Sequence, residues 1–227
     1  MKKISFFFSF ICLAVTALCQ DQAPSYDSSF KALYKAVALH PGHRNSEGVI
    51  HDSVVRKWDK DIVIRLEGGA GKSRKEILGK LRNTIALISP ALDSKIKISF
   101  TDDKASANYF IDLDYIGRRS GWYLKWDALD NIYSCRMLVN TRIIFNRDQQ
   151  AALVSHYFLQ SLGDFIFNQK DRSDFIKNDP SAASNMSLWR QDINNIDLQI
   201  LRLHYTSDIK PGMAKKDIDQ YFDRHGR

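Results

Sequence analysis

The chain has 227 residues, with 33 Lys and Arg against 26 Asp and Glu and a formal net charge of +7. The basic residues are interspersed with acidic ones, and the densest basic runs, Lys72-Ser73-Arg74-Lys75 and Arg118-Arg119, are short. The broad basic face that nucleic-acid binding needs is missing, and three cysteines, Cys12, Cys19 and Cys135, are too few for a disulfide-built scaffold.

Lys2 and Lys3 precede an almost wholly apolar stretch from Ile4 to Leu18, which ends in the small-residue pattern Ala17-Leu18-Cys19 before Gln20. Residues 1–19 therefore read as a cleavable secretory signal. The apolar run falls short of the roughly 18 to 20 residues that span a bilayer, and Gln20, Asp21 and Gln22 close it, so an uncleaved anchor is the weaker reading. Lipid attachment at Cys19 is a minor third reading, because Leu18 stands where such signals usually carry a small residue. Cleavage leaves 208 residues, and the loss of two lysines and no acid takes the charge from +7 to +5. A domain of that size buries about 70% of its unfolded surface and needs no staple. Its one remaining thiol, Cys135, has no intramolecular partner and reads as a buried thiol, with pairing to another molecule as the weaker alternative. The expected address is secreted or periplasmic, with no transmembrane segment after cleavage.

Residues 20–29 are polar. Phe30 to Leu39 has apolar positions at helical spacing, stopped by Pro41-Gly42. With residues 42–46 as a hinge, residues 20–47 read as an N-terminal helix and linker ahead of a main domain at 48–227. Trp58 and Ile62 to Leu66 predict the first strand. Gly68-Gly69-Ala70-Gly71 breaks it, and Ser73 with Glu76 has the spacing of a capping box for a helix that runs to Ile88. Pro90 biases Ser89 away from helix. Ile96, Ile98 and Phe100 alternate as a second strand. In a third, Tyr109, Ile111, Leu113 and Tyr115 share one face while Asp112 and Asp114 share the other. Gly117 to Gly121 reads as a basic turn and Met137 to Phe145 as a further strand. Asn146-Arg147-Asp148 separates that strand from a long helix, Gln149 to Phe167. A polar loop runs to about residue 187, helical spacing returns at 194–205, and Pro211-Gly212 divides it from a charged helix at 214–224. This order predicts an α/β or α+β domain with helices concentrated toward the C-terminus.

Glu67 to Ser73 sits between a strand and a helix, the setting of a nucleotide-binding loop. That loop needs a glycine at the position held here by Leu66, so the segment reads as a glycine-rich turn.

The segment with most chemical content is Leu153-Val-Ser-His-Tyr-Phe-Leu-Gln-Ser-Leu-Gly163. Positions 156 and 160 lie one helical turn apart on one face, so histidines at both would hold one metal ion. A glutamate after the first would polarise metal-bound water, and Gly163 would let the chain turn to present a third ligand. The chain has His156, but Tyr157 at the base position, Gln160 at the second ligand position and Ile166 at the third. Taken with the C-terminal stretch, this segment resembles a family of secreted bacterial proteins of unknown function whose domain is similar to zincin-like, metzincin-type metallopeptidases. That family's helix reads His-Glu-x-x-Gln-x-Leu-Gly, matched here by His156, Gln160, Leu162 and Gly163. Its downstream pattern of an aspartate opening a helix, an apolar run ending in tyrosine, and Pro-Gly-Met is matched by Asp197, by Leu198 to Tyr205, and by Pro211-Gly212-Met213. The resemblance covers about residues 48–220. It implies an α+β, zincin-like fold with a small mixed sheet, a long central helix and further helices toward the C-terminus. It also implies that Met213 forms the floor of a former metal site.

The departures bear on function. One imidazole and a neutral amide make a weak zinc site, since such sites carry three protein ligands and a water. A tyrosine with a reference pKa of about 10 is protonated at neutral pH and is no general base. His40, His43, His51 and His204 are scattered without ligand spacing. No cofactor and no metal are therefore expected, with His156 and Gln160 as weak candidates for zinc and His156 as the weak catalytic candidate. The expected function is a non-catalytic, exported binding domain whose partner is a protein or cell-envelope component, the alternative being a metal-dependent or unconventional peptidase-like hydrolase. Asp112 and Asp114, with Asp102, Asp103 and Asp127, would suit acid/base chemistry but fit a solvated strand edge equally well. Ser155 and His156 are adjacent on a helix and do not face each other. Trp122, Tyr123, Trp126 and Tyr133, beside Arg118 and Arg119, would suit a loop surface for peptide or glycan contact, or ordinary core packing.

Overall fold

A computed structural model describes residues 26–39, 53–69, 71–92, 96–117, 120–142, 146–166 and 193–225. It is a mixed α/β structure of one six-stranded sheet and five helices. The helices are α1 (Ser28–Ala38), α2 (Gly71–Ile88), α3 (Arg147–Ser161), α4 (Asn195–His204) and α5 (Lys215–His225). The strands are β1 (Lys57–Trp58), β2 (Ile62–Glu67), β3 (Ile98–Phe100), β4 (Tyr109–Asp112), β5 (Gly121–Trp126) and β6 (Asn131–Leu138). On one edge of β6, β1 pairs along its first two residues and β4 along its C-terminal half; β2 and then β3 continue the sheet beyond β4. All these pairs are parallel. Only β5, on the other edge of β6, is antiparallel.

One face of the sheet forms the core. Ile62, Ile64, Tyr109, Ile111, Cys135 and Met137 are fully buried there, each aliphatic contributing about 1.5–3 kcal/mol of transfer free energy. The helices α2 and α3 pack against each other on that side, and Phe158 of α3 meets the Tyr109 ring at 5.3 Å. The period-two burial of β2 is what the alternation of residues 62–67 requires. The first helix joins the same core through Phe30, Leu33, Tyr34 and Val37, and Lys35 pairs with Asp219 of α5 at 2.6 Å.

Several local expectations need correcting. The last strand is Asn131–Leu138, and residues 143–145 of the expected strand lie outside the described residues. Its partner β5 makes a hairpin out of what read as an aromatic loop. The turn is organised by Asp127, whose carboxylate accepts from the N–H groups of Leu129 and Asn131. The strand expected to reach Tyr115 ends at Asp112, after which Asp114 makes an isolated bridge to Asn140. Since α2 begins at Gly71, Ser73 lies inside it and bonds Gln150 of α3 rather than capping its own helix. The central helix starts earlier than expected because Asn146 caps it, accepting from Asp148 N–H at 2.8 Å and Gln149 N–H at 3.3 Å. It also ends earlier, at Ser161, with Phe165 N–H bonded back to the Gln160 carbonyl at 2.8 Å. The left-handed residue of that stop is Asp164 (φ 51°), not Gly163.

Toward the C-terminus the local signals hold. Asn194 and Asp197 form a capping box for α4. Lys210 to Met213 closes as a turn with Pro211 second and Gly212 (φ 80°) third, the type II pattern, and Met213 N–H bonds the Lys210 carbonyl at 3.3 Å.

Candidate functional site

The segment before β2 ties the molecule together. Val55 exchanges backbone hydrogen bonds with Gly212 and Met213 at 2.9 Å each, anchoring the Pro211–Met213 turn. Arg56 is 4% exposed; its guanidinium lies 3.3 Å from Asp130 and 3.5 Å from Asp164 and stacks over Trp126 at 4.2 Å. Both aspartates occupy the left-handed region, the only described non-glycine residues with positive φ. Asp tolerates that region better than most residues, and here it lets the hairpin tip and the end of α3 present carboxylates to one guanidinium. Lys57 donates to the carbonyls of His204, Thr206 and Ile209, so a cation sits on the negative end of α4. The Trp58 indole N–H donates to the Ser161 carbonyl at 3.1 Å, and the Tyr205 hydroxyl donates to the Leu162 carbonyl at 2.6 Å.

His204, scattered in the sequence from any other histidine, is fully buried at the centre of this frame. Its Nε2 lies 2.9 Å from the Arg56 carbonyl, which can only accept, so Nε2 carries the proton. Nδ1 then accepts from the Tyr34 hydroxyl at 3.1 Å. Burial drives its pKa down to about 3, and the nearby Lys57 ammonium acts in the same direction. Both ring nitrogens are committed within the core, so this histidine supports the fold and is not a ligand. The edge of its ring explains Gly163: a Cβ there would lie 2.7 Å from His204 Nε2 and 2.6 Å from Phe165 Cε1. Close approach, not a turn, demands the glycine.

On the middle of α3, His156 is half-buried. The next residue, Tyr157, turns toward β5. Its ring meets Trp122 at 5.0 Å, and its hydroxyl donates to the Ser120 carbonyl at 3.2 Å. Burial raises this phenol above its usual pKa. Gln160 is 6% exposed, and its Oε1 is a buried acceptor with no hydrogen-bond partner. The Oγ of Ser155 is in the same position. Ile166, where a third ligand would come, donates its backbone N–H to the Val37 carbonyl at 3.0 Å. These donors do not fit zinc. One imidazole and one neutral amide oxygen stand where three ligands are required, and no three His, Cys, Asp or Glu side chains converge among the described residues. His40, His43 and His51 lie outside the described residues.

Met213 packs partly against the core, and its Sδ accepts the Lys210 N–H at 3.0 Å. With Pro211 and Gly212 it borders an open recess of about 530 Å³ facing the hairpin tip at Leu129 and Asp130. The carboxylates singled out by sequence turn out to organise loops. Asp114 accepts the Gly69 N–H at 2.9 Å, Asp112 accepts the Asp114 N–H at 3.1 Å, and Asp103 accepts the Ala105 N–H at 2.9 Å. Hydrogen bonds hold Asp103 and Asp127 below the usual carboxylate range, chiefly from Ala105 N–H and from the Asn131 side chain respectively. The glycine turn carries Gly68 and Gly69 at φ 67° and 68°, and Arg74 donates to the carbonyls of Gly68 and Leu66. Of the aromatic group, Trp122 faces α3, Trp126 lies under Arg56, and Tyr123 and Tyr133 are exposed. Arg118 and Arg119 lie outside the described residues. Sequence reading missed Arg56, Lys57 and the core role of His204, and nothing local marks them. No protein-family model matches this chain, and no curated protein matches it.

Proposed function

We propose that the chain is an exported, non-catalytic binding domain on a zincin-like frame. The observation that carries this reading is the state of Tyr157. Where a zincin-like enzyme would need a carboxylate base, this helix presents a phenol raised in pKa by burial, packed on Trp122 and committed to the Ser120 carbonyl. Such a group neither takes a proton at neutral pH nor is free to swing onto a water. The frame is supported by a mixed sheet whose one antiparallel strand, β5, lies at the edge beside α3. Export rests on the leader reading of residues 1–19. No described helix is long and apolar enough to cross a membrane.

Elemental analysis of the purified protein tests the reading: less than about 0.2 equivalents of zinc is expected from so sparse a donor set. Stoichiometric zinc, or hydrolysis of a peptide panel that disappears in His156→Ala, overturns it.

A further inference from the structure

Parallel sheets are usually covered on both faces, yet the described helices pack on only one face of this one. The other face carries a row that strand register alone assembles. Arg65 lies beside Phe110, Phe110 beside Arg136, and Arg136 beside Tyr123. Across four strands this presents guanidinium, phenyl, guanidinium and phenol in a line about 14 Å long, at about 4.8 Å per strand. Tyr123 is 61% exposed and the Arg136 side chain 62%. Lys125, opposite Ser134, adds an exposed third cation beside the row.

The two guanidinium groups are held differently. Arg65 is fixed by Glu67 at 3.2 Å and by the Asp102 carbonyl. Arg136 reaches Asp112 at only 3.8 Å. An exposed pair of that kind is weak, so exchanging Asp112 for a ligand carboxylate costs little. The exposed Tyr123 ring and the half-buried Phe110 ring offer apolar platforms onto which the C–H faces of sugar rings stack, and arginine forks pair carboxylates through two parallel hydrogen bonds. A ligand in which a ring and a carboxylate recur together along a line meets both elements in turn.

We infer that this face, through Arg65, Phe110, Arg136 and Tyr123, binds an acidic polysaccharide of the polyuronate type. The inference deepens the binding role proposed above and rests on it. Affinity electrophoresis of the purified protein in gels containing polygalacturonate, with neutral dextran as the control, tests it. Retardation by polygalacturonate alone is expected. The double variant Tyr123→Ala/Arg136→Ala should lose at least about tenfold in affinity, as for an interface centred on Tyr and Arg. Tyr123→Phe, which keeps the stacking face, should retain wild-type retardation, as should Lys72→Ala/Lys75→Ala, which removes two charges from α2. Absence of polygalacturonate-specific retardation overturns the inference. So does equal weakening by the α2 pair, which would reduce the effect to general charge attraction. Circular dichroism checks that the double variant is folded, and the exposed single variant Arg136→Glu carries the same test should it not be. Zinc content is measured independently, so a failure on the gels leaves the non-catalytic reading standing, and stoichiometric zinc sinks that reading whatever the gels show.

Discussion

Acidification should unfasten this protein at His204. The imidazole is fully buried, donates through Nε2 to the Arg56 carbonyl and accepts through Nδ1 from Tyr34. A second proton would go on Nδ1, forcing the Tyr34 hydroxyl to turn away and placing a buried cation near the Lys57 ammonium. Burial of that charge, with the Lys57 ammonium beside it, is why its pKa falls to about 3. In the unfolded chain the same ring titrates near about 6.5. The folded pKa is depressed, so the stability is fully present above pH 6.5, declines as the unfolded state takes up its proton below that, and levels off near the folded value. The slope approaches about 1.4 kcal/mol per pH unit, giving a loss of about 2 kcal/mol at pH 5 and at most about 5 kcal/mol in all. Urea unfolding of the wild type and of His204→Gln at a series of pH values between 7.5 and 4, on the order of half-unit steps, isolates the effect. The variant's lower baseline drops out because only the difference in pH slope is compared. Parallel loss of stability in the two proteins over this window would refute the reasoning.

Gly163→Ala drives a methyl group into the Phe165 and His204 rings and should cost about 2 kcal/mol of overpacking. Gly71→Ala meets open space and bears only its φ of 61°, so it should cost less, about 1 kcal/mol; thermal melts that reverse this order contradict the packing account. Gln160→Met removes a buried acceptor without a donor and should raise stability by about 1 kcal/mol. A clear loss in chemical denaturation would show that the amide holds something. Burial pushes the Cys135 thiol up to about 12, so a thiol reagent at neutral pH should label native protein at least about a thousandfold more slowly than urea-unfolded protein. Rapid stoichiometric labelling of the native form would place this cysteine at a surface.

Sequence alone determined those features whose causes lie within a few residues. The alternation of Ile62, Ile64 and Leu66 is a local period that matches a half-buried strand and nothing else nearby. The Pro211-Gly212 pair dictates its turn through a fixed φ and a positive one, and the helical spacing of residues 194–205 survives because a capping box starts it. Where competing local signals were of similar strength, reading failed. Ser73 and Glu76 have the right spacing for a cap, but Gln150 on a neighbouring helix claims the serine. The β5–β6 hairpin was hidden because its turn, Asp127 to Asp130, lacks glycine and relies on an aspartate side chain and a left-handed Asp130.

The candidate site divides the same way. The spacing of His156, Tyr157 and Gln160 on one helix, and the absence there of a base, were legible because a helix converts sequence separation directly into geometry. Only tertiary structure could decide that His204 is a core group and that Arg56 joins Asp130 to Asp164, partners separated by tens to more than a hundred residues. The same is true of the Arg65, Phe110, Arg136 and Tyr123 row, which exists only through strand register. Pairing between distant strands is chosen by the whole buried face at once, and no window of the sequence contains that sum.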